Sequence, residues 1–328
     1  MAQRILIIRF SSIGDIILTT PVIRAIREQY PDAHIGFATK KQFGSLLQAN
    51  PYVNSIHGLD QDFKSFQTEI KEAGYTYYID LHHNLRSKRL TSSLQIPGKA
   101  FNKLNLEKWL LVNLKWNRLP DTHIVNRYME TGADLNLQYD GKGLDYFFPT
   151  EHAKPDLPFE QYISIAIGGQ HATKKLPTLK LKELIEGIQA PVVLLGGPED
   201  VPVSDELLNS ISKPDLLSYC GKASLADSAY IAQQSLGLIT HDTGMMHIGA
   251  ALDVPIISVW GNTVPEFGMY PFYPSHSAQK GKSAFFEVKN LKCRPCSKIG
   301  YAECPKGHFK CMQDQDIKAM LAQIQTWL

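Results

Sequence analysis

The chain opens on a short apolar run, residues 4–9 (RILIIR), bounded by small polar residues, the pattern of a strand buried on both faces of a parallel sheet. Residues 16–30 carry apolar positions at helical spacing and stop at Pro31, which predicts a helix. HIGFAT (34–39), VNSIHGL (53–59) and YTYYIDL (75–81) read as further strands, with polar or helical stretches between them. That alternation of strand and helix is the signature of a doubly wound sheet. Periodicity is lost over residues 148–160 (FPTEHAKPDLPFE), where three prolines and four charged residues mark a linker. A second series follows: YISIAIGG (162–169), PVVLLGG (191–197), SLGLITHD (235–242) and VPIISVWG (254–261), closed by an amphipathic helix over residues 314–328. The expected fold is α/β, with two Rossmann-like doubly wound parallel-sheet domains, residues 1–150 and 151–328, facing each other across a cleft. The closing helix is expected to pack back on the first domain.

Composition changes this picture little. The 328 residues suit two domains, and an apolar fraction of 44% with 20% charged residues describes an ordinary globular chain. MAQRILII is too short for a signal peptide, and no run of ~18 apolar residues offers a membrane span, so a cytoplasmic protein is expected. The net charge of +2 argues against a general nucleic-acid binder. Charge is uneven, however: residues 86–118 hold eight basic residues against Glu107, a net of +7, together with Phe101, Trp109 and Trp116. Two readings stand there: a solvated helix face, or a surface that meets anionic lipid or a phosphorylated acceptor at the membrane.

Ligands of open α/β sheets bind beyond the carboxyl ends of the strands, so the loops after the strands are the places for chemistry. Neither G-x-G-x-x-G nor a P-loop is present, Gly281-Lys282-Ser283 lacking the upstream glycine, which removes most support for dinucleotide oxidoreductases and P-loop NTPases. In the first loop, RFSSIGD, Asp15 lies near a helix N-terminus, where it is either a cap or a carboxylate offered to a ligand. In THDTGMMHIGAA (240–251), Asp242, Thr243 and Gly244 carry a strand into a helix whose free N–H groups suit a diphosphate, with His247 one turn on. His247 is equally readable as a satisfied buried histidine. Lys174 and Lys175 sit in GGQHATKKLP (168–177), where a lysine is able to neutralise a departing diphosphate or simply face water. Glu199 and Asp200 follow another strand in LLGGPED (194–200), within range of ribose hydroxyls.

RFSSIGDIILTTPVIRAIR, TKKLP, LLGGPED and above all HDTGMMHIGAALDVPIISVWG together resemble glycosyltransferase family 9, the ADP-heptose:lipopolysaccharide heptosyltransferases, over nearly the whole chain. The resemblance implies a GT-B fold and an inverting transfer that needs no metal or other cofactor. Asp15 matches the family's proposed general base, and Lys174 the lysine that steadies the leaving diphosphate. Asp242, Thr243, Gly244 and His247 match the donor-phosphate motif, with Thr173 and Glu199 added to the donor set. Ser12, Gly14, His82 and Arg86 stand for the acceptor. The implied partners are a nucleotide-diphosphate sugar and a glycolipid acceptor, reached from the inner face of a membrane. Two departures touch substrate choice: Leu176 replaces a common tryptophan, and His82-His83 stand where a small or amide residue is usual.

Cys293, Cys296, Cys304 and Cys311 lie within nineteen residues, compact enough for a structural zinc with His308 as a substitute ligand, or else unligated thiols of a reducing cytosol. Cys220 stands apart and reads as core. Against the transferase stand a nucleotide-sugar epimerase or hydrolase of the same fold and a catalytically idle nucleotide-sugar-binding scaffold.

Overall fold

A computed structural model describes residues 3–152 and 154–328. The chain divides into two compact units, the first holding residues up to Leu104 together with Thr122–Thr150, the second Asn105–Asp121 together with Glu151–Leu328.

The first unit contains β1 (Arg4–Ile8), α1 (Ile13–Ile17), α2 (Thr20–Gln29), β2 (His34–Lys40), β3 (Ser55–Leu59), α3 (Phe63–Glu72), β4 (Tyr77–Asp80), α4 (Leu85–Leu94) and β5 (Gly98–Ala100). Helix α5 (Asn105–Leu114) belongs to the second unit, and α6 (Ile124–Thr131) returns to the first. The sheet is parallel, in the order β3-β2-β1-β4-β5. Ile5 to Ile8 of the central strand are all fully buried, which is why this strand reads as an unbroken apolar run. At roughly 1.5–3 kcal/mol for each buried branched side chain, such a strand anchors the unit.

The single helix predicted over residues 16–30 is two helices. Pro21 has no N–H to bond the Ile17 carbonyl, and the Thr20 hydroxyl takes that carbonyl instead at 2.8 Å, while Thr19 bonds that of Ile16 at 2.6 Å. The turn so formed is buried. The Arg24 guanidinium of α2, also buried, binds Asp140 at 2.6 Å, Asp145, and the Gly143 carbonyl at 2.8 Å, and so ties residues 140–145 to α2.

The second unit runs β6 (Ile163–Ala166), α7 (Thr178–Gly187), β7 (Val192–Leu195), α8 (Val201–Ser210), β8 (Leu216–Ser218), α9 (Leu225–Gln234), β9 (Gly237–His241), α10 (Gly244–Ala251) and β10 (Ile256–Trp260). It ends with the one-turn α11 (Gln279–Lys282), β11 (Ala284–Glu287), the one-turn α12 (Lys310–Gln313) and α13 (Ile317–Gln325). Its sheet is also parallel, in the order β11-β10-β9-β6-β7-β8. The closing helix, expected to return to the first domain, puts Ile317, Met320, Ile324 and Trp327 into the core of this second unit, against Ile163, Leu184 and Ile185. Gly237 makes room for it: a Cβ there would lie 2.3 Å from the Trp327 ring.

Each sheet has one point where the strand order reverses, and there the loops on neighbouring strands diverge and open a crevice. In the first unit it falls between β1 and β4, in the second between β6 and β9.

Candidate functional site

At the first reversal, the loop after β1 carries Arg9 to Ser12 and the loop after β4 carries His82. Asp15 stands in the first turn of α1. Its Oδ2 accepts the Ser12 N–H at 3.1 Å and the Ser12 hydroxyl at 2.9 Å, so it acts as a cap, as its position in S-x-G-D allows. Its other oxygen meets the Arg9 guanidinium at 2.5 Å. Arg9 is buried and held in turn by the Ser11 carbonyl at 2.8 Å and the Leu81 carbonyl at 2.6 Å. Burial works to raise the Asp15 pKa, but Arg9 and the two Ser12 bonds outweigh it and hold the carboxyl at about 2. Asp15 is therefore always ionised near neutrality, with 20% of its side chain open to solvent. Gly14 is buried in the same turn.

The loop after β4 is organised by Asp80. This buried carboxylate accepts the His82 and His83 N–H groups at 2.9 and 2.7 Å and the Ser87 hydroxyl at 2.6 Å. His82 packs edge-on against Phe10. Burial above all, with Arg9 and Lys103 adding repulsion, pushes its pKa down to about 3, so the ring is neutral. His83 is tied to the Phe101 carbonyl at 2.6 Å, which makes it structural. Arg86 is exposed and lines a cavity of about 490 Å³ with Lys40, Lys41, Asp60 and Gln61, at the carboxyl ends of β2 and β3. Three cations against one carboxylate suit an anionic group there.

At the second reversal, Lys174 Nζ meets Asp242 Oδ2 at 2.6 Å and the Asp242 carbonyl at 3.0 Å. The Thr263 hydroxyl donates to the same Oδ2 at 2.8 Å, fixing the carboxylate. Thr243 precedes α10, and no side chain caps this helix. Its first N–H groups, beside half-buried Thr243 and Gly244, are therefore open to an anion. His247 lies one turn on and is buried. Glu199 is exposed beyond β7.

Two of the predicted assignments change. Thr173 is 2% exposed, and its hydroxyl exchanges hydrogen bonds with the Tyr301 backbone, accepting the N–H at 2.8 Å and donating to the carbonyl at 3.2 Å. It positions the lysine loop instead of offering a ligand group. Lys175, open to a diphosphate or to water in the sequence, and Asp200, expected with Glu199 near ribose hydroxyls, instead pair with each other at 3.1 Å, with Asp200 buried and also bonded to the Gly197 N–H. Leu176, the departure from the family pattern, points into the core. Its N–H donates to His241 Nε2 at 2.9 Å, a ring that burial holds neutral with a pKa of about 4. Arg9, Thr263 and His241 were not foreseen. Their signal is a polar side chain at or just past the end of an apolar strand.

Cys293 Sγ faces His308 Nε2 at 3.7 Å, and the Cys296 thiol donates to the Cys293 carbonyl. Burial first, and then neighbouring thiols, push Cys296 up to about 11 and Cys311 up to about 12. Among the described residues no three His, Cys, Asp or Glu side chains converge as ligands of one metal ion. Among the described residues no helix is long and apolar enough to cross a membrane.

Comparison with known proteins adds to this geometry. The family model described as "Glycosyltransferase family 9 (heptosyltransferase)" matches residues 63–299. Lipopolysaccharide heptosyltransferase 1 of Campylobacter coli is 26% identical over 290 residues, 80% of this chain and 84% of that protein. A family 9 glycosyltransferase from Veillonella parvula superposes with a TM-score of 0.76 at 19% identity, covering 99% of this chain and 97% of that one. The ADP-heptose lipopolysaccharide heptosyltransferase II of Escherichia coli superposes with a TM-score of 0.71 at 18% identity, covering 99% and 98%.

Proposed function

The chain belongs to glycosyltransferase family 9, and we propose that this transferase moves a heptose from ADP-heptose to a hydroxyl of a lipopolysaccharide core or related glycolipid, inverting the anomeric carbon without a metal. The names of the Campylobacter and E. coli relatives support the sugar, nucleotide and acceptor class. The observation that carries the reading is the Lys174–Asp242–Thr263 cluster beside the uncapped start of α10.

In this reaction the acceptor oxygen attacks the anomeric carbon as the carbon–oxygen bond to the diphosphate breaks, and ADP leaves with the electron pair. Negative charge grows on the departing phosphate. Lys174 and the N–H groups at Thr243, Gly244 and the following turn lie where they stabilise it in place of a cation, and Asp242 holds the lysine until the donor arrives. Glu199 is assigned to the ribose and His247 to the diphosphate.

Asp15 receives the acceptor proton. A carboxylate held at about 2 is a weak base toward a free alcohol. The attacking oxygen, however, becomes strongly acidic once its new bond to carbon forms, so the proton passes late and needs only a weak, well-placed base. Ser12, Gly14 and neutral His82 shape the acceptor side, and the Arg86, Lys40 and Lys41 cavity takes an anionic group of the acceptor. The protein acts at the cytosolic face of the membrane that carries its acceptor.

Calorimetric titration with ADP, UDP, GDP and CDP tests the donor. Selective ADP binding, lost in Lys174→Ala or Thr243→Ala, is the expected result. Preference for another nucleotide replaces the donor, and no binding to any of them sinks the reading.

A further inference from the structure

Helix α5 is apolar on the wrong side. Its inner face is anchored by Leu111, which packs with Val264 and Phe267. Leu106, Trp109 and Leu114 point the other way and are 65%, 51% and 59% exposed, and Trp116 just beyond is 50% exposed. At 100° per residue these three helical positions, with half-buried Leu110, share one stripe interrupted only by Asn113. A helix apolar on both faces, with one face in water, is built to meet an apolar phase, and four large apolar side chains within eleven residues exceed scattered surface exposure.

The surroundings say which phase. The Lys115 ammonium leaves α5 and binds the Cys293 and Pro295 carbonyls at 3.2 and 2.7 Å, joining the helix to the basic stretch 289–310, in which Ile299 and Tyr301 are also exposed. Leaving out Arg294, which is buried against Glu287, Asn105–Asp121 and residues 289–310 together carry eight basic residues against three acidic ones, a net of +5. The Arg118 guanidinium lies over the Trp116 ring, 4.1 Å from its centroid. Exposed tryptophans beside cations are the side chains that settle at the boundary between headgroups and acyl chains. A second copy of the chain is a poor occupant, because two such surfaces would set +5 against +5.

We propose that α5 and the adjoining 289–310 stretch form the surface by which this protein docks on an anionic phospholipid bilayer, with Trp109 and Trp116 entering the interface and the cations meeting the headgroups. The surface reaches the chemistry through Tyr301, whose backbone is bonded to Thr173, next to Lys174. Docking therefore holds the lysine loop at bilayer level. The inference deepens the glycolipid-acceptor reading and rests on it for its purpose, while the surface itself rests on exposure and charge.

The test uses the full chain with vesicles of mixed phosphatidylglycerol and phosphatidylcholine, and with phosphatidylcholine alone. Of the four tryptophans, Trp260 and Trp327 are already buried, so a blue shift in emission reports Trp109 and Trp116 alone. Sedimentation with the anionic vesicles and a blue shift are expected, with little of either on the neutral ones. Trp109→Ser with Trp116→Ser should lower partitioning by at least ~10-fold and abolish the shift. Lys108→Gln with Arg118→Gln should lower it by roughly 25-fold, at about fivefold per cation. Leu106→Ser replaces the tryptophan pair should that variant fail to fold.

Equal binding to both vesicle types, no binding of the wild type, or unchanged partitioning of the variants overturns the proposal. So does a stable dimer in which these tryptophans are protected. ADP titration of the same proteins separates the two readings. A chain that binds ADP but no vesicles loses the docking surface alone, and one that binds vesicles but no nucleotide loses the donor assignment alone.

Discussion

Asp15→Asn separates a base from a cap, because the structure assigns a different magnitude to each role. The substitution keeps the shape and at least one oxygen for Ser12, but removes the charge that faces Arg9 at 2.5 Å. The fall of the Asp15 pKa from 3.8 to about 2 corresponds to about 2 kcal/mol of native-state stabilisation near neutrality, with the side chain only 20% exposed. Because the folded pKa lies below the unfolded one, this stabilisation is present above pH 3.8 and is lost as the pH falls toward 2. The variant should therefore unfold several degrees lower at pH 7, and the difference should vanish in acid. A cap explains that much and no more. If Asp15 is also the base, ADP release in the presence of acceptor should fall by about 10²–10⁴-fold at temperatures where the variant is fully folded, with ADP affinity unchanged. The wild-type rate should show no acid limb from Asp15 above about pH 4. A folded variant with normal turnover refutes the base, and an acid limb near pH 6 that disappears with Asp15→Asn refutes the depressed pKa.

Three further outcomes follow from the packing. Lys174→Ala strands the Asp242 carboxylate on Thr263 and removes the diphosphate's cation, so ADP binding and turnover should both fall by roughly 10–100-fold, with partial return in Lys174→Arg; an unchanged dissociation constant removes Lys174 from the site. Gly237→Ala drives a methyl to 2.3 Å from the Trp327 ring and should cost about 1–3 kcal/mol in denaturant melts, less in a Trp327→Leu background; full additivity of the two changes would deny the contact. With Cys296 and Cys311 pushed up to about 11 and 12, iodoacetamide at pH 8 should label Cys296 roughly 10²-fold and Cys311 roughly 10³-fold more slowly than free cysteine. Protection that a chelator abolishes, with release of zinc, would instead establish the zinc alternative.

The fold was legible where strands are central and buried. β1, β2, β6, β7, β9 and β10 run almost wholly inside their sheets, and a strand covered on both faces needs an apolar residue at nearly every position. The edge strands β5, β8 and β11 were missed, because each is three or four residues long with partly exposed positions, so period and run length both fail. Helix α5 was placed in the first domain by its position in the chain. Its attachment to the second depends on Leu111 meeting Val264 and Phe267, about 150 residues away, and no local pattern encodes that.

The site divides along the same physical line. Asp15, Lys174, Asp242 and Thr243 are legible as candidates because they stand in loops just past strand ends, where a polar residue is visible in sequence, and the strand order then puts those loops at the two reversals. What each of them does is set by a neighbour that sequence distance hides. Arg9 turns Asp15 from an ordinary carboxylate into one held at about 2, and Thr263, from the loop after the next strand, fixes the Asp242 oxygen that meets Lys174. His241 shows the rule most sharply. It stands next to Asp242 in the most specific motif of the chain, yet nothing local signals its role. Its Nε2 accepts the Leu176 N–H, and its neutral ring is what pins the lysine loop to β9. Its burial means that protonation would require either releasing Leu176 or desolvating a charge, so acid loosening of the lysine loop should follow this ring's pKa of about 4 and not that of a solvent histidine.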